Sequence, residues 1–166
     1  MRLPGVRLRR AGPADAEALL ALARAAFEVY RPAIGREPAP MTADYARAIA
    51  QDEVWVAEDG GAMLGMLVLR PGTEDLLLDT VAVLPVSQGQ GIGRALLKLA
   101  ERRAAELALS AVSLYTNEAM TENQRWYTDL GYAEVRRSLE DGYRRVYYRK
   151  PAGTFGTGES RRTAGG

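Results

Sequence analysis

The chain has 166 residues, 47% of them apolar, and its 22 basic residues nearly balance 21 acidic ones for a formal net charge of +1. That length supports one domain with its own core, and that balance argues against nucleic acid or an anionic membrane as a partner. Cysteine and histidine are both absent, which removes disulfides, thiol nucleophiles, Ser-His triads and the usual transition-metal sites, so no metal is expected.

Proton transfer is left to carboxylates, tyrosine, lysine, water or backbone. No apolar run approaches the ~20 residues needed to cross a bilayer, and "MRLPGVRLRR" lacks the apolar core of a secretion signal. The expectation is a soluble cytoplasmic protein.

In chain order, "GVRLRR" alternates as a short strand, and Ala11-Gly12-Pro13-Ala14-Asp15 opens an alanine-rich helix to about Val29. Leu19, Leu22, Ala26 and Val29 share one face of that helix. The Pro/Gly-punctuated "YRPAIGREPAPM" cannot be one continuous helix, and a second helix follows through Tyr45 and Ile49. Two strand-like runs flank Asp59-Gly60-Gly61, a hairpin signal, and "LLLDTVAVLP", apolar on both faces, reads as a central strand.

The helix after Gly91 places Ile92, Leu96, Leu99, Ala100 and Leu107 on a buried stripe. "AVSLYT" is a strand, and "TENQRWYTDLG" a short helix capped by Thr121 and stopped by Gly131. "YAEVRRSLEDGYRRVYYRK" is a hairpin turning at Asp141-Gly142, whose "YRRVYY" run is expected to form an edge or a homodimer contact. One domain over 1–150 and a disordered Gly/Ser/Thr/Arg-rich tail over 151–166 are expected.

The stretch "SQGQGIGRALL" sets Gly89, Gly91 and Gly93 between a strand ended by Pro85 and a helix N-terminus. Free backbone N–H groups and the positive end of the helix dipole meet there, which suits an anion such as a phosphate. A tight strand-to-helix turn with close packing explains the glycines equally well. The Walker A string G-x-x-x-x-G-K-[ST] is absent, and G-x-G-x-x-G fails at Arg94 or Leu96, depending on the starting glycine. What fits is Q-x-x-G-x-G at Gln88, Gly91 and Gly93.

With "VAVLPVSQGQGIGRALL" followed by "LYTNEAMTENQRWYTDLGY", the chain resembles the GNAT family of acetyl-CoA-dependent N-acetyltransferases over about residues 6 to 150. The resemblance implies an α/β fold with a central, mostly antiparallel mixed sheet of six to seven strands flanked by four helices. It implies that Val81, Ala82 and Val83 offer backbone groups to the pantetheine arm on a strand that splays from its neighbour. Gln88, Gly89, Gln90, Gly91, Ile92, Gly93 and Arg94 would then surround the pyrophosphate. Arg94 reads equally as a solvated first-turn arginine, and Lys98 as plain surface.

Acyl transfer to an amine needs a neutral attacker, a stabilised oxyanion and a proton for the departing thiolate. Without cysteine or histidine, direct attack on the bound thioester is expected, with a backbone N–H of the 81–83 strand serving the oxyanion. By position in the family, Tyr127 is the acid beside the sulfur. A proton passing from a phenol of pKa about 10 to a thiolate whose acid lies near ~8.5 is expected to run downhill. Its structural reading is a tyrosine filling space beside Trp126 and Leu130.

Asn117 and Asn123 are candidates for the cofactor arm, or else helix-terminating residues. The position that carries asparagine in many relatives is Met120, and the usual basic carboxylates are replaced by Leu77 and Tyr115. Asp79, sharing strand parity with Val81 and Val83, is then the candidate base, with Glu118 behind it. The segment between the first two helices usually walls the acceptor site, which points to Phe27, Glu28, Tyr30, Arg31, Arg36 and Glu37. The expected acceptor is a small-molecule, peptide or protein amine; the competing reading is a non-catalytic acyl-CoA-binding sensor.

Overall fold

Residues 5–153 are described by the structure, a computed structural model. Seven strands form one sheet: β1 (Val6–Arg10), β2 (Glu53–Asp59), β3 (Ala62–Pro71), β4 (Asp75–Val83), β5 (Ala111–Asn117), β6 (Ala133–Glu140) and β7 (Tyr143–Pro151). Four longer helices accompany them, α1 (Ala16–Phe27), α3 (Tyr45–Gln51), α4 (Ile92–Glu106) and α5 (Thr121–Asp129), with a single turn α2 (Arg31–Ile34) inside the long irregular segment. Pro151 ends β7 and Ala152 is buried; the remainder of the expected tail, 154–166, lies outside the described residues.

The sheet order is β1-β2-β3-β4-β5-β7-β6, antiparallel throughout except for the β4–β5 pair. Of the three hairpins, β2–β3 and β6–β7 turn where glycine allows a left-handed backbone, at Gly60-Gly61 and at Asp141-Gly142, each pair having positive φ. That is the backbone of a two-residue turn whose twist matches its strands. Helices α1 and α3 cover one face through Leu19, Leu22, Ala23, Ala26 and Tyr45, packed on Val54, Val56, Met66, Val68 and Ala82. On the other face Leu96, Leu97, Ala100 and Ala104 of α4 meet Leu67, Leu69, Leu76, Leu78, Val112 and Leu114, with Tyr127 of α5 beside them. No helix among the described residues is long and apolar enough to cross a membrane.

Several local expectations change. Helix α1 stops at Phe27, so Val29 is exposed, because "EVYRP" winds into a 3-10 turn ahead of Pro32. Leu107 follows α4 as its C-cap and is also exposed. Thr121 is the first helical residue of α5, and the cap position falls to Met120 without a side-chain hydrogen bond. The "YRRVYY" strand is interior, since β7 inserts between β5 and β6; the edge is β6, whose Val135 and Leu139 are exposed.

Strand β4 departs from regular pairing on both of its edges. Against β3, Val68 faces Thr80 and Leu69 faces Leu78, so Asp79 is an extra bulged residue. A one-residue insertion reverses side-chain parity. Leu76 and Leu78 therefore face α4, and so do Val81 and Val83 beyond the bulge. Against β5, pairing ends at Leu78–Leu114, although both strands run on. The β5-facing edge of β4 thus carries no ladder from Asp79 to Val83, and a wedge opens there.

Candidate active site

The wedge is flanked by two cavities. The first, about 570 Å³, runs from the glycine loop between α4 and α5 to the end of α1, and is lined by Val81 to Val83, Gln88, Gly89, Gly91 to Arg94, Asn123, Trp126 and Tyr127, with Phe27 and Tyr30 across from them. The second, about 240 Å³, lies under the segment joining α1 to α3 and contains Arg70, Asp79, Tyr115, Asn117, Tyr143 and Arg145 among its walls. Phe27, Val81, Asn123 and Tyr127 line both. The two spaces meet where β4 has left β5.

The glycine loop divides its labour. Gly89 (φ +82°) and Gly91 (φ +88°) hold left-handed backbone, and Gly91 is the N-cap of α4. Gly93 has ordinary helical backbone, but a Cβ there would lie 3.2 Å from the Trp126 ring. Two glycines thus shape the turn and the third admits α5 against α4. The first helical hydrogen bond runs from Ala95 N–H to Gly91 C=O, at 3.0 Å. The N–H groups of Gly89 and of Gly91 to Arg94 find no acceptor among the described residues, and these residues line the first cavity beside the positive end of the α4 dipole. Gln88 braces the loop by donating from Nε2 to Val83 C=O, 3.1 Å. Arg94 is exposed and makes no ion pair among the described residues, while Gln90 sits at the loop tip outside the cavity lining.

Tyr127 is 4% exposed, its ring wedged among Trp126, Tyr132 and Tyr148 at centroid distances of 5.3, 6.1 and 6.0 Å. Its hydroxyl has no hydrogen-bond partner among the described residues, and burial pushes the phenol well above its ordinary value. Tyr127, protonated and unengaged among the described residues, thus lines both cavities. The Asn123 amide, one turn earlier, is likewise uncommitted there. Asn117 is different: its Oδ1 accepts from Ala119 N–H at 2.9 Å and it lines only the second cavity.

Asp79 faces the second cavity, but not with the parity of Val81 and Val83, because the bulge intervenes. Its Oδ1 accepts from the Tyr115 hydroxyl at 3.0 Å and lies 3.8 Å from Arg70 Nη1. Burial, with Asp79 next, pushes the Tyr115 phenol far up, so Tyr115 remains a donor. Glu118 pairs with Arg137 at 3.1 Å, away from both cavities.

Of the residues expected on the acceptor side, Phe27 and Tyr30 line cavities; Glu28, Arg31, Arg36 and Glu37 do not. Arg31 instead bridges Glu28 (3.0 Å) and Glu37 (3.4 Å). Arg36 donates to Asp141 C=O at 2.8 Å and lies over the Tyr143 ring. The charged and aromatic wall is supplied by Arg70, Tyr115, Tyr143 and Arg145, which sequence reasoning did not select. Only cross-strand neighbourhood unites them.

The sequence model described as the Acetyltransferase (GNAT) family matches residues 17–132. The chain belongs to this family. No curated protein sequence matches the chain, whereas solved GNAT structures share its fold. The ribosomal-protein-S18-alanine N-acetyltransferase of Escherichia coli is 18% identical with a TM-score of 0.72, covering 89% of this chain and 94% of its own. A GNAT-family acetyltransferase from Elizabethkingia anophelis, solved with acetyl-CoA bound, is 17% identical (TM-score 0.65; 90% of this chain, 99% of its own). The PaiA N-acetyltransferase of Thermoplasma acidophilum, solved with coenzyme A, is 16% identical (TM-score 0.73; 88% and 98%). The GNAT match spans α1 to the end of α5, so every element bordering the first cavity falls within it.

Proposed function

We propose that this GNAT protein transfers an acetyl group from acetyl-CoA to an amine by direct attack on the bound thioester. The observation that carries the reading is the meeting of two cavities at Tyr127, whose hydroxyl is unpartnered among the described residues, along the unladdered edge of β4. The unmet N–H groups of Gly89 and of Gly91 to Arg94 suit the pyrophosphate, with Gln90 at the loop tip beside it, Arg94 adding a cation and Gln88 bracing the turn. The free edge of Val81 to Val83 suits the amide-bearing pantetheine arm, and Asn123 is placed to bond it. Asn117, tied into its own turn, is proposed only to shape the end of the wedge.

The amine nitrogen bonds to the thioester carbon, and the carbon–sulfur bond breaks. A backbone N–H on the free edge of β4 takes the oxyanion. A proton handed from a phenol of pKa about 10 to a thiolate whose acid lies near ~8.5 climbs about 1.5 units rather than descending, and the buried Tyr127 climbs further. Tyr127 therefore acts by donating a hydrogen bond to the sulfur as charge develops. The net proton on the thiol is the one released by the amine, for which Asp79, directly or through water, is the proposed first stop.

Thiol release from acetyl-CoA across an amine panel tests the reaction, and a chain without cysteine contributes no background. A sensor reading is favoured by one observation, that the Asp79 carboxylate is already engaged by Tyr115 and Arg70. Calorimetric binding of acetyl-CoA without amine-stimulated release would support the sensor; amine-stimulated release rules it out. Gly91→Glu, placing a charged side chain against the phosphates, is expected to abolish binding; retained binding would remove the glycine loop from the reading.

A further inference from the structure

The charges in the second cavity form a pattern that acetyl transfer by itself does not require. Arg70, Asp79, Tyr115 and Arg145 come from β3, β4, β5 and β7, four neighbouring strands, and line one cavity. Asp79 stands between the Arg70 guanidinium and the Tyr115 hydroxyl. Arg145 lies 4.4 Å over the Tyr115 ring with only 16% of its side chain exposed. Of its nitrogens, Nη1 alone has a carboxylate partner among the described residues, Glu140 at 3.0 Å. The row thus presents an anion and, one strand beyond Tyr115, a largely buried cation with donor capacity left over. Ile34, Pro38 and Pro40 of the segment joining α1 to α3, and Met120 ahead of α5, add apolar lining.

The space is small, about 240 Å³, and the 34–43 segment walls one side of it. The 34–43 segment is bonded to the β6–β7 hairpin by Arg36 to Asp141 C=O (2.8 Å) and by the Tyr143 hydroxyl to Glu37 C=O (2.7 Å). Arg70 is already matched by Asp52 at 3.2 Å and by Asp79, so a polyamine would set its second ammonium against Arg145, and a peptide N-terminus has no free α-carboxylate for Arg145 to take.

We propose that the acceptor is a small free α-amino acid with an apolar side chain. Its amino group lies beside Asp79, its carboxylate takes the donors of Arg145 that Glu140 and Tyr147 leave over, and its side chain covers the apolar wall. A zwitterion matches this arrangement of anion and cation, and a planar guanidinium held by stacking suits a carboxylate. The inference rests on the acetyl-transfer reading for its chemistry but not for its binding.

The test compares leucine, valine, methionine and phenylalanine with their decarboxylated amines and with spermidine, by thiol release and by calorimetry on the CoA-loaded protein. Amino acids are expected to exceed their decarboxylated partners by roughly tenfold or more in kcat/KM, since a site built around a polar group penalises its loss. Arg145→Gln, checked for unchanged acetyl-CoA affinity, is expected to collapse that ratio, and Arg145→Lys to restore part of it. Equal or better use of the decarboxylated amines or spermidine overturns the substrate class while leaving acetyl transfer standing. Arg145-dependent amino-acid binding without thiol release supports the site and overturns acetyl transfer. Absence of both binding and turnover with all four amino acids overturns the proposal.

Discussion

The Tyr127 hydroxyl has no acceptor among the described residues, and its ring packs against Trp126, Tyr132 and Tyr148. Tyr127→Phe keeps those contacts, so acetyl-CoA binding by calorimetry is expected to hold while kcat falls roughly 10- to 100-fold, below the larger effects of full general acids. Because burial raises the phenol, kcat is not expected to drop between pH 8 and 10 from Tyr127 ionisation. An unchanged kcat in Tyr127→Phe would remove the residue from the chemistry. Asp79→Asn keeps an acceptor for Tyr115 but removes the charge, and kcat/KM for amines is expected to fall about 10²-fold; full activity would place the base elsewhere. Tyr127 and the glycine loop were readable because each sits in a short local pattern. Arg70 and Arg145 were not, since 75 positions of chain separate them and only the strand order, with β4 and β5 between their strands, brings both to one cavity.

Helices α4 and α5 approach over Gly93, where a Cβ would press on the Trp126 ring at 3.2 and 3.3 Å. Gly93→Ala is expected to shift α5, and with it Tyr127, lowering kcat more than it weakens acetyl-CoA binding. Gly89→Ala meets no neighbour within 4 Å, and its cost is the left-handed backbone alone, roughly 1–2 kcal/mol. At this size that is a fall of about 2–8 °C in melting temperature, read by thermal unfolding. Element order and both glycine-turned hairpins were legible from their turn residues and apolar spacing. The bulge at Asp79 was not: two-residue alternation assumes regular pairing, and nothing in "LLLDTVAVLP" marks where an extra residue enters. Leu107 and Val29 were misplaced for a related reason, as the helical period ran on past the true helix ends.

Across the whole molecule, the far end of the sheet is tied to α4 by a buried cluster. Glu101 accepts from the Tyr132 hydroxyl at 3.0 Å and from Lys150 at 3.1 Å, and Lys150 also reaches Leu130 C=O. Lys150→Met leaves the Glu101 carboxylate short of a partner, at a cost of about 1–3 kcal/mol. Lys98→Met, at an exposed position, is the neutral comparison in thermal unfolding.

Burial raises the phenols of Tyr45, Tyr115, Tyr127 and Tyr132. Below about pH 10, the ordinary phenol value, folded and unfolded chains both keep these protons and the groups add no pH dependence. Above it the unfolded chain releases protons that the folded chain retains, so stability falls as pH rises. A urea midpoint that stays flat from pH 8 to 11 would contradict this.

The sheet that carries the site also partitions it: one cavity opens toward the glycine loop, the other is walled by the 34–43 segment, and they share only four lining residues. Neither substrate has to vacate its compartment before the other enters. Steady-state turnover should then pass through a ternary complex, with double-reciprocal plots that intersect rather than run parallel, and with desulfo-CoA competing against acetyl-CoA but not against the amine.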